Sequence, residues 1–128
     1  MKRAVFEIKQ NAVGRCYFVF KDSNGQALVA SGSFSRRSEL EKCLAMVRET
    51  APIAQICEDS ASSAPPCFLL CESYGGFSFS LIGFNGETIF ISKTYIEKCT
   101  CIEAIENMKR GSPNAGIIDT VDQDQAQP

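Results

Sequence analysis

The stretch FVFKDSNGQALVASGSFSRRSELEKCLAMVRETAPIAQICE, residues 18–58, is written a second time in this chain. Moved forward by 61 positions, it falls without a gap on residues 79–119, FSLIGFNGETIFISKTYIEKCTCIEAIENMKRGSPNAGIID. Phe18 meets Phe79, Asn24-Gly25 meets Asn85-Gly86, Ser31 meets Ser92, Phe34 meets Tyr95, Pro52 meets Pro113 and Ile56 meets Ile117. One extra residue in a loop then brings Phe6 onto Phe68. The duplication fixes the architecture. It also supplies an internal control, because every residue of interest can be compared with its counterpart.

Within the unit, Cys16, Phe18 and Phe20 alternate with Tyr17, Val19 and Lys21, the period of two that marks a strand. Asn24-Gly25 and Asn85-Gly86 are hairpin signals, and the dipeptide predicts a type I′ turn with positive φ at both central residues. Strands are expected at 5–9, 16–22, 26–31, 67–72, 77–82 and 87–92, with a Gly75-Gly76 turn in the second copy. The period then changes. Leu40, Cys43, Leu44 and Val47 stand at i, i+3, i+4 and i+7, and their counterparts Cys101, Ala104, Ile105 and Met108 repeat that stripe, which predicts one amphipathic helix per unit. Ser38 with Glu41 and Thr100 with Glu103 are candidate capping pairs. Pro52 and Pro113 close the helices, and short apolar segments at 54–57 and 115–118 read as last strands. The unit is β-β-β-α-β, twice.

The chain has 128 residues, enough for one ordinary domain, whereas a lone unit of about 55 residues buries little of its surface. The expected division is one domain over 1–119, built from repeats at 4–59 and 66–119 with a linker at 60–65, followed by a disordered polar tail at 120–128. Net charge is −2 with no long run of either sign, which argues against a nucleic-acid binder. The N-terminal residues do not read as a signal peptide, and no stretch reaches the 18 or more apolar residues of a membrane span. A cytoplasmic location is the expectation, and there the seven cysteines remain thiols.

The opening strand around Phe6, the Phe-rich second strand, the Asn-Gly turn, Ser31, the aromatic Phe34, the amphipathic helix and the Pro-x-Ala segment together resemble the YegP-like family. These are small, mostly bacterial proteins of unknown function built from a unit of about 50 residues that is often tandem. The resemblance covers 4–59 and 66–119. It implies an α+β fold in which two β-β-β-α-β repeats form one pseudo-twofold sheet, exchange their last strands and carry both helices on one face. Burial logic agrees, since an apolar strand face and an apolar helix stripe need each other. The family offers no catalytic residues to carry over.

Cys16, Cys43, Cys57, Cys67 and Cys101 match Phe77, Ala104, Ile118, Val5 and Leu40, so five of the seven thiols occupy apolar positions and read as core. Zinc sites want four thiolate or imidazole ligands, and the chain has no histidine; no metal or cofactor is expected. Cys71 and Cys99 match Lys9 and Ser38 and are the candidates for an exposed, reactive thiol, Cys99 because it stands near a helix start. Arg36 and Arg37 at the other helix start are candidates for an anion contact. Tyr17, Tyr74 and Tyr95 are candidates for an exposed contact with a partner. Phe18, Phe20, Phe77 and Phe79 are read as core rather than as a stacking platform for RNA. Without histidine the usual nucleophile pairs cannot form, so an enzyme is not expected.

The leading expectation is a small, non-catalytic cytoplasmic protein, binding another protein through an exposed sheet edge. The alternative is a thiol-based redox or metal-binding protein using Cys71 or Cys99. A monomer is expected, because the two copies already serve as each other's partner; a homodimer is the other possibility.

Overall fold

The computed structural model describes residues 3–58 and 64–119. Most of the expected linker and the whole expected tail therefore lie outside the described residues. The elements run β1 Val5–Gln10, β2 Cys16–Lys21, β3 Ala27–Ala30, α1 Arg37–Thr50, β4 Gln55–Cys57, β5 Cys67–Ser73, β6 Gly76–Ile82, β7 Thr88–Ile91, α2 Lys98–Gly111, a 3-10 turn at Ser112–Asn114 and β8 Gly116–Asp119. This is the expected β-β-β-α-β order, twice.

The strands form two four-stranded sheets, β3-β2-β1-β8 and β4-β5-β6-β7. Each half thus completes its sheet with the last strand of the other. β8 runs parallel to β1, Val5 opposite Gly116, and β4 runs parallel to β5, Gln55 opposite Cys67. Where one continuous sheet was expected, the ladder between the two sheets narrows to a single bridge, Ser31 opposite Ser92. The reason is local. After Ala30 the chain turns back so that Phe34 pairs with Cys16, and after Ile91 it does the same so that Tyr95 pairs with Phe77. The two serines pin this turn. The Phe18 N–H donates to Ser31 Oγ at 3.0 Å and the Phe79 N–H to Ser92 Oγ at 3.0 Å, while the hydroxyls donate to the carbonyls of Gly32 and Lys93. Buried backbone donors need such partners.

Both helices cover the same face, and each crosses the seam: α1 lies on β2 and β7, α2 on β6 and β3. The stripes Leu40, Cys43, Leu44, Val47 and Cys101, Ala104, Ile105, Met108 are all buried, as expected. Beneath them Phe6, Phe18 and Phe20 of one half meet Phe68, Phe79 and Phe90 of the other, with Phe18 and Phe90 in edge contact across the seam at 5.1 Å. Each such side chain contributes about 1.5–3 kcal/mol on burial.

Two local expectations differ. No non-glycine residue among those described has positive φ, so Asn24 and Asn85 do not build type I′ turns. Instead the Gly25 N–H donates to the Asp22 carbonyl at 2.9 Å, the Asp22 N–H donates to the Gln26 carbonyl at 3.0 Å, and Gly25 alone is left-handed at φ 83°. This is the longer hairpin that adds a glycine bulge; Gly83 to Gly86 repeat it. The Asp22 carboxylate accepts from the N–H groups of Asn24 and Gln26, which favours the longer loop. The capping pairs are also displaced. α1 and α2 start at Arg37 and Lys98, with Arg36 and Glu97 as uncapped N-caps, so Ser38 and Thr100 already lie inside their helices.

Candidate functional site

The residues singled out in the sequence do not converge on one place. Cys71 is half-buried on β5, Cys99 is exposed in the first turn of α2, and all seven cysteines are free thiols. Arg36 is exposed at the N-cap of α1, while Arg37 is held by Asp119 of β8 and, at 3.1 Å, by Glu41. Tyr74 is fully exposed at the tip between β5 and β6. Tyr17 is half-buried beneath Lys93, whose Nζ stands 5.5 Å from the ring centroid. Tyr95 departs from the exposure expected of it. Its ring stacks on Phe79 at 6.3 Å, its hydroxyl donates to the Leu28 carbonyl at 2.6 Å, and burial raises its pKa.

That hydroxyl has a structural task which the repeat makes clear. The ladders shift register at Phe20/Lys21 and at Leu81/Ile82, leaving Leu28 and Ile89 as unpaired bulge residues. The Leu28 carbonyl is satisfied by Tyr95, and the Ile89 carbonyl by the Cys43 thiol at 3.6 Å. Each bulge is thus closed by a side chain from the opposite half. The counterparts Phe34 and Ala104 cannot donate. Burial pushes the Cys43 thiol up to about 12, which keeps it protonated and able to donate. Tyr95→Phe is therefore expected to cost about 1–2 kcal/mol by orphaning one carbonyl. Adding Ala104→Cys should recover part of that loss in urea melts; no recovery would refute the assignment.

A second divergence between the halves opens a groove. Beside β8, α1 leaves a cleft of about 500 Å³ lined by Ile8, Leu44, Ala45, Ile117 and the charged Arg37, Glu41, Arg48 and Glu49. At the corresponding places α2 carries Ile102 for Glu41 and Glu106 for Ala45, and Ile102 packs onto the core. Ile56 of β4 is half-buried there, whereas its counterpart Ile117 is 50% exposed. The Arg48 guanidinium donates to the Ala115 carbonyl, just before β8. Arg37 and Asp119 tie the far end of the strand, as Lys98 and Glu58 tie β4 at 2.5 Å. Exposed pairs of this second kind contribute little.

β8 is the outer strand of its sheet. The Gly116 N–H donates to the Ala4 carbonyl, so Gly116 and Ile118 face β1 while the backbone groups of Ile117 face outward. Exposed Ile117 and Ile118 flank this edge. The outer faces of the sheets differ too. In the first half Glu7 lies 2.8 Å from Lys21 and 3.0 Å from Lys9, and Lys21 foremost, then Lys9, hold its pKa below the usual carboxylate range. The second half places Leu69, Ile82 and Cys71 at those positions.

The sequence matches a domain of unknown function, DUF1508, twice, over residues 7–58 and 73–119. The chain belongs to the DUF1508 family. The two matches fit the tandem unit. A UPF0339 protein in the ptx operon 5′ region of Stutzerimonas stutzeri is 27% identical over 114 residues, 89% of this chain and 94% of that protein. UPF0339 protein Atu0232 of Agrobacterium fabrum is 46% identical over 48 residues, 38% of this chain and 77% of that protein. Two solved structures of DUF1508-like fold superpose on nearly the whole chain. They are YegP of E. coli, a protein of unknown function (TM-score 0.71, 21% identity, 93% of this chain and 94% of that one), and UPF0339 protein SO3888 of Shewanella oneidensis (TM-score 0.69, 18% identity, 91% and 90%). At these identities the likeness to solved structures shows the fold alone. The family's function is unknown, and among the described residues no helix is long and apolar enough to cross a membrane.

Proposed function

We propose that the chain is a non-catalytic cytoplasmic module, monomeric by itself, that binds another protein by accepting an extended segment along β8. The observation that carries this reading is the open backbone of Ile117 beside the groove on α1. Strand addition draws affinity from main-chain hydrogen bonds and selectivity from pockets for alternate side chains, and this edge offers both. β4 supports the reading less well, since Ile56 is half-buried. Ile117→Pro removes an outward donor without taking a bond from the β1 ladder, and proline is tolerated on edge strands. Affinity purification followed by mass spectrometry should lose its specific partners in this variant. An unchanged set of partners from a folded variant would remove the edge from consideration. A thiol role for exposed Cys99 is the second reading, and unaltered alkylation kinetics in Cys99→Ser would dismiss it.

A further inference from the structure

The start of β8 gathers positive charge that the rest of the fold does not use. Arg48 comes from α1 on the helix side and donates to the Ala115 carbonyl. Arg3 precedes β1 and lies over the next residue on the opposite face, since Gly116 stands opposite Val5: a Cβ on Gly116 would come within 3.1 Å of its Nη2. Neither guanidinium has a carboxylate partner among the described residues, and the Arg48 Nε is buried without a hydrogen-bond partner there. Arg37, by contrast, has both Asp119 and Glu41. The edge is therefore polarised. Its Ala115–Gly116 end holds Arg3 and Arg48 against the exposed Glu49, and its Asp119 end holds two carboxylates against one arginine.

The second half carries no such arrangement. Pro65 stands where the first has Arg3, Gln55 where it has Gly116, and Lys109 where it has Arg48. Gly116 matters because a side chain at that position would crowd the Arg3 guanidinium. Together with the groove, opened by Glu41 and Ala45 and closed in the other half by Ile102, these differences make one edge of a pseudo-symmetric molecule distinctive.

We propose that the segment received by β8 presents a carboxylate to Arg48, with Arg3 adding positive charge from the other face of the strand, and an apolar side chain to the groove above Leu44, Ala45 and Ile117. This rests on the edge-binding reading and names the chemistry of its partner. Arginine forks bind carboxylates through paired, charge-assisted hydrogen bonds. The separation of charge along the edge also sets direction, because a carboxylate at the Asp119 end would meet like charge. An acidic side chain of the segment supplies the group, on the face of the strand that carries the groove.

The test is fluorescence anisotropy with labelled octapeptides of alternating valine and threonine, blocked at both ends. Variants place one aspartate, or one lysine, at either end, and another leaves the C-terminal carboxylate free. One of the two aspartate peptides should bind about tenfold more tightly than the neutral one, with its lysine analogue weaker than neutral. That advantage should vanish in Arg48→Gln and shrink in Arg3→Gln, while Ile117→Pro should abolish binding of every peptide. A gain confined to the peptide with a free C-terminal carboxylate would overturn the side-chain source. Equal binding of all the peptides, still lost in Ile117→Pro, would overturn the carboxylate assignment and leave the edge standing. Absence of binding by any peptide would overturn both readings. Self-association in sedimentation that depends on Ile117 would overturn the peptide in favour of a second copy of the chain.

Discussion

Phe90→Ala should lower the unfolding free energy by about 3–5 kcal/mol, the range for emptying a buried aromatic site. The position is demanding for two reasons. Phe90 is 5% exposed, and its ring lies 5.1 Å from Phe18 and 5.8 Å from Phe79. Among the described aromatic pairs, Phe18 with Phe90 is the one that joins the halves. Since the backbone ladder between the two sheets is a single bridge at Ser31 and Ser92, side-chain packing carries the junction of the sheets. The counterpart in the first half is the smaller Val29, paired with Phe20. Urea denaturation followed by circular dichroism and by tyrosine fluorescence would measure the loss. Phe84→Ala, at a hairpin tip where the side chain is 65% exposed, should stay within about 0.5 kcal/mol of the parent. A loss below 1 kcal/mol for Phe90→Ala would contradict this account of the junction.

Gly76→Ala is the second large effect expected. Gly76 has φ 148°, and a Cβ there would sit 2.0 Å from the Tyr95 carbonyl oxygen. The φ alone costs about 1–3 kcal/mol for a residue with a side chain. The clash adds to it, because the Tyr95 backbone cannot retreat without breaking its pairing with Phe77, at 2.7 Å and 2.6 Å. That pairing positions the Tyr95 ring on Phe79 and its hydroxyl on Leu28. The melting temperature should fall by roughly 10 °C or more. Gly75, whose added Cβ would meet nothing within 4 Å, supplies the comparison: Gly75→Asn keeps a tolerated left-handed residue and should fall much less. Equal melting temperatures for the two variants would refute the steric argument.

The repeat offset and the two hydrophobic periods were enough to place every strand and both helices, because burial on one face leaves a mark in the order of residues. Features that depend on which of several near-equal local solutions wins were not legible. Asn24-Gly25 reads as a two-residue turn until the Asp22 carboxylate is seen gathering the N–H groups of Asn24 and Gln26. Ser38 reads as a cap until α1 is seen to have its N-cap two residues earlier, at Arg36. Cys43 reads as core and Tyr95 as an exposed contact, and their shared task depends on a bulge that composition does not reveal. Nothing in the sequence singles out Arg3 and Arg48. A signal for the groove was nonetheless present, in the mismatch of Glu41 with Ile102 and of Ala45 with Glu106. It gains meaning only once α1 is known to stand beside a strand from the other copy.

The exchanged strands also govern the order in which the molecule can be completed during its synthesis. β1 is paired on one side by β2 within a few residues, but its other neighbour, β8, lies 111 positions further along, at Gly116 opposite Val5. At 5–20 residues per second a ribosome needs roughly 6–20 seconds to cover that distance. Throughout that interval the open side of β1 has no partner from its own chain. The first half must therefore wait, unfinished at one border, for the last strand of the second half to emerge.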